Sequence, residues 1–270
     1  MKLAPFKPSS RLTRQPQKSG DLVRADALAF LKGLRDNVAD VVFLDPPFNL
    51  GKIYGPGAKV ETFDRDTYDH YMRTVLFQCH RILRKGGALY LYHLPVWAMQ
   101  WGAAIEGHLE LRHWIAISMK NGFARGNRLY PAHYALLYFT KGEPLVFKRP
   151  RLKLRRCPHC NKVLKDYGGY RHLVSHGVNL TDVWDDLSPV RHGTTKLRAT
   201  NQLPIEITDR VCAISGRRGG LMVDPFVGTG TSLVSAVKSR MRFAANDVEQ
   251  SNLDICVRRL AAMRSPKPKS

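Results

Sequence analysis

Asp45-Pro46-Pro47-Phe48 follows directly on the apolar run Ala39–Leu44. Two prolines cannot continue a central strand and bring no amide donors, so the local carbonyls and the Asp45 carboxylate are left to accept from an outside donor. Phe48 adds a planar face. An acceptor pair beside an aromatic plate suits the exocyclic amino group of a base swung out of a duplex, although a rigid turn with a buried Phe fits the same residues. A second stretch, Asp224-Pro225-Phe226-Val227-Gly228-Thr229-Gly230-Thr231, follows an apolar strand and opens a helix. Its glycines let backbone approach a ligand that faces the helix amides. Asp247 ends the next strand, where nucleotide-binding sheets bond ribose hydroxyls. A tight turn without a ligand is the plainer reading of the glycines alone. The loop lacks the Lys-Ser/Thr ending of a phosphate-binding loop, which disfavours a nucleoside triphosphate. The third stretch is Cys157-x2-Cys160-x11-His172-x3-His176, the spacing of a tetrahedral, closed and therefore structural zinc site. His159 as a substitute ligand, or an unrelated Cys pair, are its alternatives.

These residues need a frame. Asp21–Asp26 reads as a short strand, Ala27–Arg35 has helical spacing, and Ala39–Leu44 is a buried parallel strand, which together make a right-handed crossover. Thr67–Leu83 reads as a helix that stops at Lys85-Gly86-Gly87, with strands at 88–92, 114–118 and 134–139. Between Lys141 and Gly193 the pattern breaks and the chain turns basic. It then resumes with a helix over Pro204–Ile214, a strand over Gly220–Asp224, a helix over Thr231–Lys238, a strand over Arg242–Asp247 and a last helix to Arg264. The expectation is a doubly wound, mostly parallel α/β sheet with a small insert. The divisions are a basic flexible arm over 1–20, one half of the domain over 21–140, the insert over 141–193, the other half over 194–264 and a basic tail over 265–270.

Composition sets the partner class. The 43 Lys+Arg exceed the 22 Asp+Glu by 21, a surplus that calls for a polyanion, with nucleic acid first and a ribosome-associated role as the bland alternative. With 44% hydrophobic residues the chain can fill a core and is not disordered throughout. No segment offers the roughly 20 uninterrupted apolar residues of a membrane span. The basic, Pro/Ser-rich start lacks the apolar middle of a secretion signal, so the expected location is the cytoplasm, at the nucleoid. Five cysteines are too few for a disulfide scaffold.

Asp-Pro-Pro-Phe together with Asp-Pro-Phe-x-Gly-x-Gly-Thr resembles the two hallmark motifs of the amino-group DNA methyltransferases that use S-adenosylmethionine. The catalytic motif comes first and a variable segment lies between, the order of the β class. The resemblance spans about 21–140 and 181–264 and includes Arg24-Ala25-Asp26 and Asn201-Gln202-Leu203-Pro204. There Ala25 and Leu203 depart from the usual Gly and Lys and spare the acid and the proline. It implies a Rossmann-like methyltransferase fold. It also implies that Asp224, Phe226, Gly228 and Gly230, with Thr229 and Thr231 of the same loop, line the methionine part of the cofactor. Asp247 would hold the ribose hydroxyls, Asp26 the adenine amino group, and Gln202 with Pro204 would close the pocket. Asp45 and the Pro46 carbonyl would bond the target amino group while Phe48, after Pro47, stacks on the base. No covalent enzyme intermediate is implied, which leaves Cys79, Cys212 and Cys256 as core residues.

The cysteine-histidine cluster falls where the family carries its target-recognition region. A zinc finger there, with Lys148, Arg149, Arg151, Lys153, Arg155, Arg156 and Arg171 around it, is expected to touch duplex DNA, although a solvated face fits the basic run equally well. His108-Leu-Glu110 ahead of the Cys pair also resembles the zinc deaminases, but Arg156 stands where they have proline, and His172 and His176 would be idle. The expected activity is site-specific transfer of methyl to adenine N6, because cytosine enzymes of this kind more often carry Ser before Pro-Pro. Cytosine N4, an RNA substrate and a non-enzymatic zinc-finger DNA binder are the alternatives. A homodimer and a cognate restriction nuclease are the further partners the family allows.

Overall fold

In a computed structural model, residues 12–49, 63–118, 127, 129, 131–154, 156–157, 159–162, 177–187 and 202–263 are described. The chain runs β1 (Arg14–Gln17), β2 (Gly20–Arg24), α1 (Ala27–Gly33), β3 (Ala39–Leu44), α2 (Arg65–Ile82), β4 (Leu83–His93), α3 (Pro95–Ile105), β5 (Glu110–Ser118) and β6 (His133–Thr140). It continues through β7 (Arg151–Leu152), β8 (Val178–Asn179), β9 (Val183–Trp184), α4 (Ile205–Ser215), β10 (Leu221–Asp224), α5 (Thr231–Lys238), β11 (Arg242–Asp247) and α6 (Gln250–Ala262). One nine-stranded sheet has the order β1-β2-β11-β10-β3-β4-β6-β5-β9. Its middle, β2-β11-β10-β3-β4, is parallel throughout.

All six residues of β3 are buried, as a strand covered on both faces demands. One apolar layer packs Phe30 and Leu31 of α1, Met72, Val75 and Leu76 of α2 and Trp97 and Trp101 of α3 against the sheet. The other sets Ile207 and Val211 of α4, Leu233 of α5 and Leu253 and Leu260 of α6 on the opposite face. The helices form where the apolar spacing and the caps agree. Asp64 starts α2 by accepting from the amides of Asp66 and Thr67 at 3.1 and 2.9 Å, and Tyr68, Met72, Val75, Cys79 and Ile82 then recur on one face.

The frame departs from the sequence reading in several places. Arg14–Gln17, inside the stretch read as a flexible arm, pairs antiparallel with β2 as an edge strand. The glycines at 86 and 87 do not end an element; β4 runs through them, and its pairing with β3 slips between Ala39 and Val41. Helix α3 has no counterpart in the expected elements, and β9, from within the insert, adds to the main sheet parallel to β5. No helix among the described residues is long and apolar enough to cross a membrane.

Candidate active site

Four adjacent parallel strands each deliver an acid at their carboxyl ends. Across the sheet, β2 leads to Asp26, β11 ends at Asp247, β10 ends at Asp224 and β3 leads to Asp45. The carboxyl ends of parallel strands are where such sheets open a crevice. Here a cavity of about 370 Å³ is lined by all four acids together with Pro46, Pro47, Phe48, Phe226, Gly228, Thr229 and Thr231. The two motifs, almost 180 residues apart in the chain, therefore share one cleft.

The glycine loop is built from the inside. Gly230 has φ +82 and a Cβ there would lie 2.8 Å from Cys256 Sγ, so the turn into α5 leaves no room for a side chain. Asp247 splints the loop: its carboxylate accepts from the Gly228 amide at 2.9 Å, the Glu249 amide at 2.8 Å and Asn252 Nδ2 at 3.1 Å. Asp224 is buried and accepts from the Phe226 amide at 2.9 Å and from the Ser232 hydroxyl. Burial pushes its carboxyl up to about 7, opposed by those two donors. Asp26 caps α1 by accepting from the Leu28 and Ala29 amides at 2.8 and 3.3 Å, and its other oxygen accepts from Tyr71 Oη at 3.2 Å. Gly230 shapes the loop without lining the cavity. At the closing edge Leu203, rather than Gln202 or Pro204, lines it, and Pro204 instead caps α4.

Phe48 is less of an open plate than expected. It is 7% exposed, and its ring packs 4.5 Å from that of His93, 5.6 Å from Tyr134 and 5.9 Å from Tyr92, while still lining the cavity. Burial, with the Asp45 charge adding to it, holds the Tyr92 phenol well above its usual range. Tyr68, Tyr71, Phe63 and Asn246 also line the cleft. They were not among the expected site residues: Tyr68 and Tyr71 lie on a helix, Phe63 just precedes it, and Asn246 lies inside a strand. The thiols of Cys212 and Cys256 are buried and pushed up to about 12, and that of buried Cys79 is raised as well, which suits packing rather than nucleophilic chemistry.

In the insert, Cys157 and Cys160 lie on a tight turn. The Cys157 amide donates to Lys162 O at 2.8 Å, the Asn161 amide donates to Cys157 O at 2.9 Å, and Asn161 takes the left-handed conformation at φ 56. His172 and His176 lie outside the described residues, as do Arg155 and Arg171. Among the described residues no group of three His, Cys, Asp or Glu side chains is arranged to hold a metal. Much of the basic run makes bonds within the protein. Lys148 Nζ reaches Gly216 O at 3.3 Å, Arg151 donates to Gly177 O at 2.8 Å, Arg156 donates to Asn161 O at 2.9 Å, and Arg149 lies over the Phe147 ring. Lys153 is exposed.

Several known proteins resemble this chain. M.BamHI, a type II methyltransferase of Bacillus amyloliquefaciens, is 40% identical over 215 residues, which are 79% of this chain and 51% of that protein. The DNA adenine methyltransferase YhdJ of Escherichia coli is 24% identical over 260 residues, covering 92% of this chain and 85% of its own. Among solved structures, the PvuII DNA methyltransferase, described as cytosine-N4-specific, superposes with a TM-score of 0.68 at 12% identity over 94% of this chain and 89% of that one, a likeness of fold alone. The chain thus spans about half the length of M.BamHI. A family model for N6/N4 DNA methylases matches residues 39–258. That span takes in both loops of the cleft and the strands that carry them, and the chain belongs to this N6/N4 DNA methylase family.

Proposed function

We propose that the protein transfers a methyl group from S-adenosylmethionine to the exocyclic N6 of adenine at a specific site in duplex DNA, on a base swung out of the helix. The observation that carries this is the single cavity shared by Asp45-Pro46-Pro47-Phe48 and the Asp224–Thr231 loop. The residues suit the cofactor. Carboxylates at Asp247 and Asp26 match its ribose hydroxyls and adenine amino group, Phe226 offers a ring, and the buried Asn246 Oδ1 has no hydrogen-bond partner among the described residues. When bound, S-adenosylmethionine supplies an electrophilic sulfonium methyl. The chain's own part is to hold the nitrogen. Asp45 and the Pro46 carbonyl accept hydrogen bonds from its two hydrogens, which draws the lone pair out of ring conjugation and leaves it free for direct attack, and the Asp45 carboxylate is placed to take the proton the nitrogen then sheds. Phe48 bounds the base pocket. Adenine is favoured by the Asp before Pro-Pro and by the likeness to YhdJ.

The test is mass analysis of nucleosides from DNA and RNA incubated with the protein and labelled cofactor. N6-methyladenine in duplex DNA is expected. Label only as N4-methylcytosine would overturn the base assignment and leave the mechanism standing, whereas label only in RNA would overturn the DNA reading. A type II setting would add a cognate nuclease, and we place the reaction in the cytoplasm at the nucleoid, on DNA bound by a monomer or a homodimer.

The insert is assigned to target reading, with one structural zinc on Cys157, Cys160, His172 and His176. Support comes from the ligand spacing and from the Cys157–Cys160 turn, whose reciprocal backbone bonds keep both thiols on one short loop. Few apolar residues lie between the four ligands, so the metal would supply the missing stability. Elemental analysis should find about one zinc per chain, since four ligands complete one site. Cys160→Ser should release it and weaken DNA binding while S-adenosylmethionine still binds. A metal-free protein with full site preference would remove the zinc from the proposal.

A further inference from the structure

Two side chains outside both motifs grip the catalytic loop from below. Tyr68, on α2, is buried and donates its hydroxyl proton to the Pro47 carbonyl. The same oxygen lies 3.2 Å from His93 Nε2 at the end of β4. His93 is fully buried, with its ring 4.5 Å from that of Phe48 and 4.9 Å from that of Trp101. A phenol has one proton and a carbonyl can only accept, so once Tyr68 donates to Pro47 the contact with His93 needs a proton on Nε2. The bonds then run in one direction, from His93 to Tyr68 to Pro47.

The geometry points to Tyr68 and His93 as positioning residues that decide which prolyl carbonyl meets the target amino group. The loop has two consecutive prolines, and neither has an amide to pin it in place. Tyr68 occupies the Pro47 carbonyl, while among the described residues the Pro46 carbonyl takes no such bond. A loop free to rotate would offer either oxygen to the base. With Pro47 held, only Pro46 remains to act beside Asp45. His93 sets the Tyr68 hydroxyl through Nε2 and packs its ring against that of Phe48, so one imidazole places both the acceptor and the plate. Burial drives its pKa down to about 3, against the backbone of Pro47 and Leu94, which pull it up, so it stays a neutral single donor near neutral pH and the chain of bonds does not reverse there.

This inference rests on the reading in which Asp45 and the Pro46 carbonyl receive the base, and its tests separate the two. The first uses unmethylated genomic DNA and labelled S-adenosylmethionine. Tyr68→Phe keeps the ring and should lower kcat by about ten- to a hundredfold, the loss of one buried hydrogen bond that aims a reacting group, with the KM for DNA and the cofactor affinity changed less than about twofold. His93→Gln, which keeps a donor near Nε2, should retain more activity than His93→Leu. The second test needs no turnover. In protein labelled with nitrogen-15 at histidine, the His93 signals should show Nε2 protonated and Nδ1 bare, and the Nε2 proton should exchange with water faster in Tyr68→Phe. Unchanged kcat in Tyr68→Phe, cofactor affinity falling in step with kcat, or a proton on Nδ1 would each overturn the inference. If the wild-type protein methylates no DNA, the function proposed above fails, and the histidine signals still decide the hydrogen-bond chain.

Discussion

Asp45→Ala is expected to lower the methyl-transfer rate at least about a thousandfold, the scale on which removing a group aimed at the reacting atom acts in a closed site. Its carboxylate is one of the two acceptors argued to hold the target nitrogen. S-adenosylmethionine affinity should change little, because the bonds that shape the cofactor side are made by Asp224 and Asp247, on β10 and β11. Asp45→Asn is the sharper variant. It keeps a carbonyl oxygen in place but adds a donor where the base also donates, so it should recover only a small part of the rate. Single-turnover transfer and calorimetry with the cofactor read the two effects separately. Near-normal turnover in Asp45→Ala would remove Asp45 from the chemistry.

The complementary change is Asp247→Ala, which should weaken S-adenosylmethionine binding by about a hundredfold or more. The carboxylate accepts from the Gly228 and Glu249 amides and from Asn252 Nδ2 before any ligand arrives. Its loss frees the glycine loop and also removes the acceptor for ribose hydroxyls. Two charge-assisted bonds at about 1.5 kcal/mol each give that factor. The melting temperature without cofactor should fall as well, since the three partners lose their acceptor even in the empty cleft. Asp247→Asn should fall between the two, keeping one oxygen for the loop. Unchanged affinity in Asp247→Ala would mean that the sugar end of the cofactor site lies elsewhere.

Much of this cleft is legible in the sequence. β3, α5 and β11 have the bounds expected of them, because a short buried parallel strand and a strand-glycine-helix turn each leave a compact local signal. What stayed hidden has physical reasons. Helix α3 is apolar nearly all round, with Val96 and Met99 exposed opposite buried Trp97 and Trp101, so it shows little contrast between faces. Pro95 and Gly102 read as breaks. Pro95 instead opens the helix, where it lacks no needed amide, and Gly102 makes room for Leu137, whose Cδ1 would sit 3.0 Å from a Cβ there. β9 is two residues long and is held by pairing with β5, too short for any periodicity. In the site, acids and glycines declare themselves by type. Tyr68 and His93 do not, since an aromatic on a helix face and a histidine ending an apolar strand look like ordinary core until the fold brings them under Pro47 and Phe48.

The small sheet of β7 and β8 carries a consequence for rebuilding this chain. Arg151 pairs with Asn179 and Leu152 with Val178, and a side chain at Gly177, with φ +86, would start 2.3 Å from Leu152 O. The chain therefore leaves and re-enters the domain through a neck closed by its own backbone. The segment between residues 153 and 177 is bounded by those paired strands. Doubling such a loop costs only about 0.6 kcal/mol in closure entropy. A change in that segment's length or sequence can therefore leave the strands that carry the cleft where they are. The natural cut points for building chimaeras are the ends of the neck rather than the outer limits of the basic stretch, because β9, just beyond it, is already a strand of the main sheet.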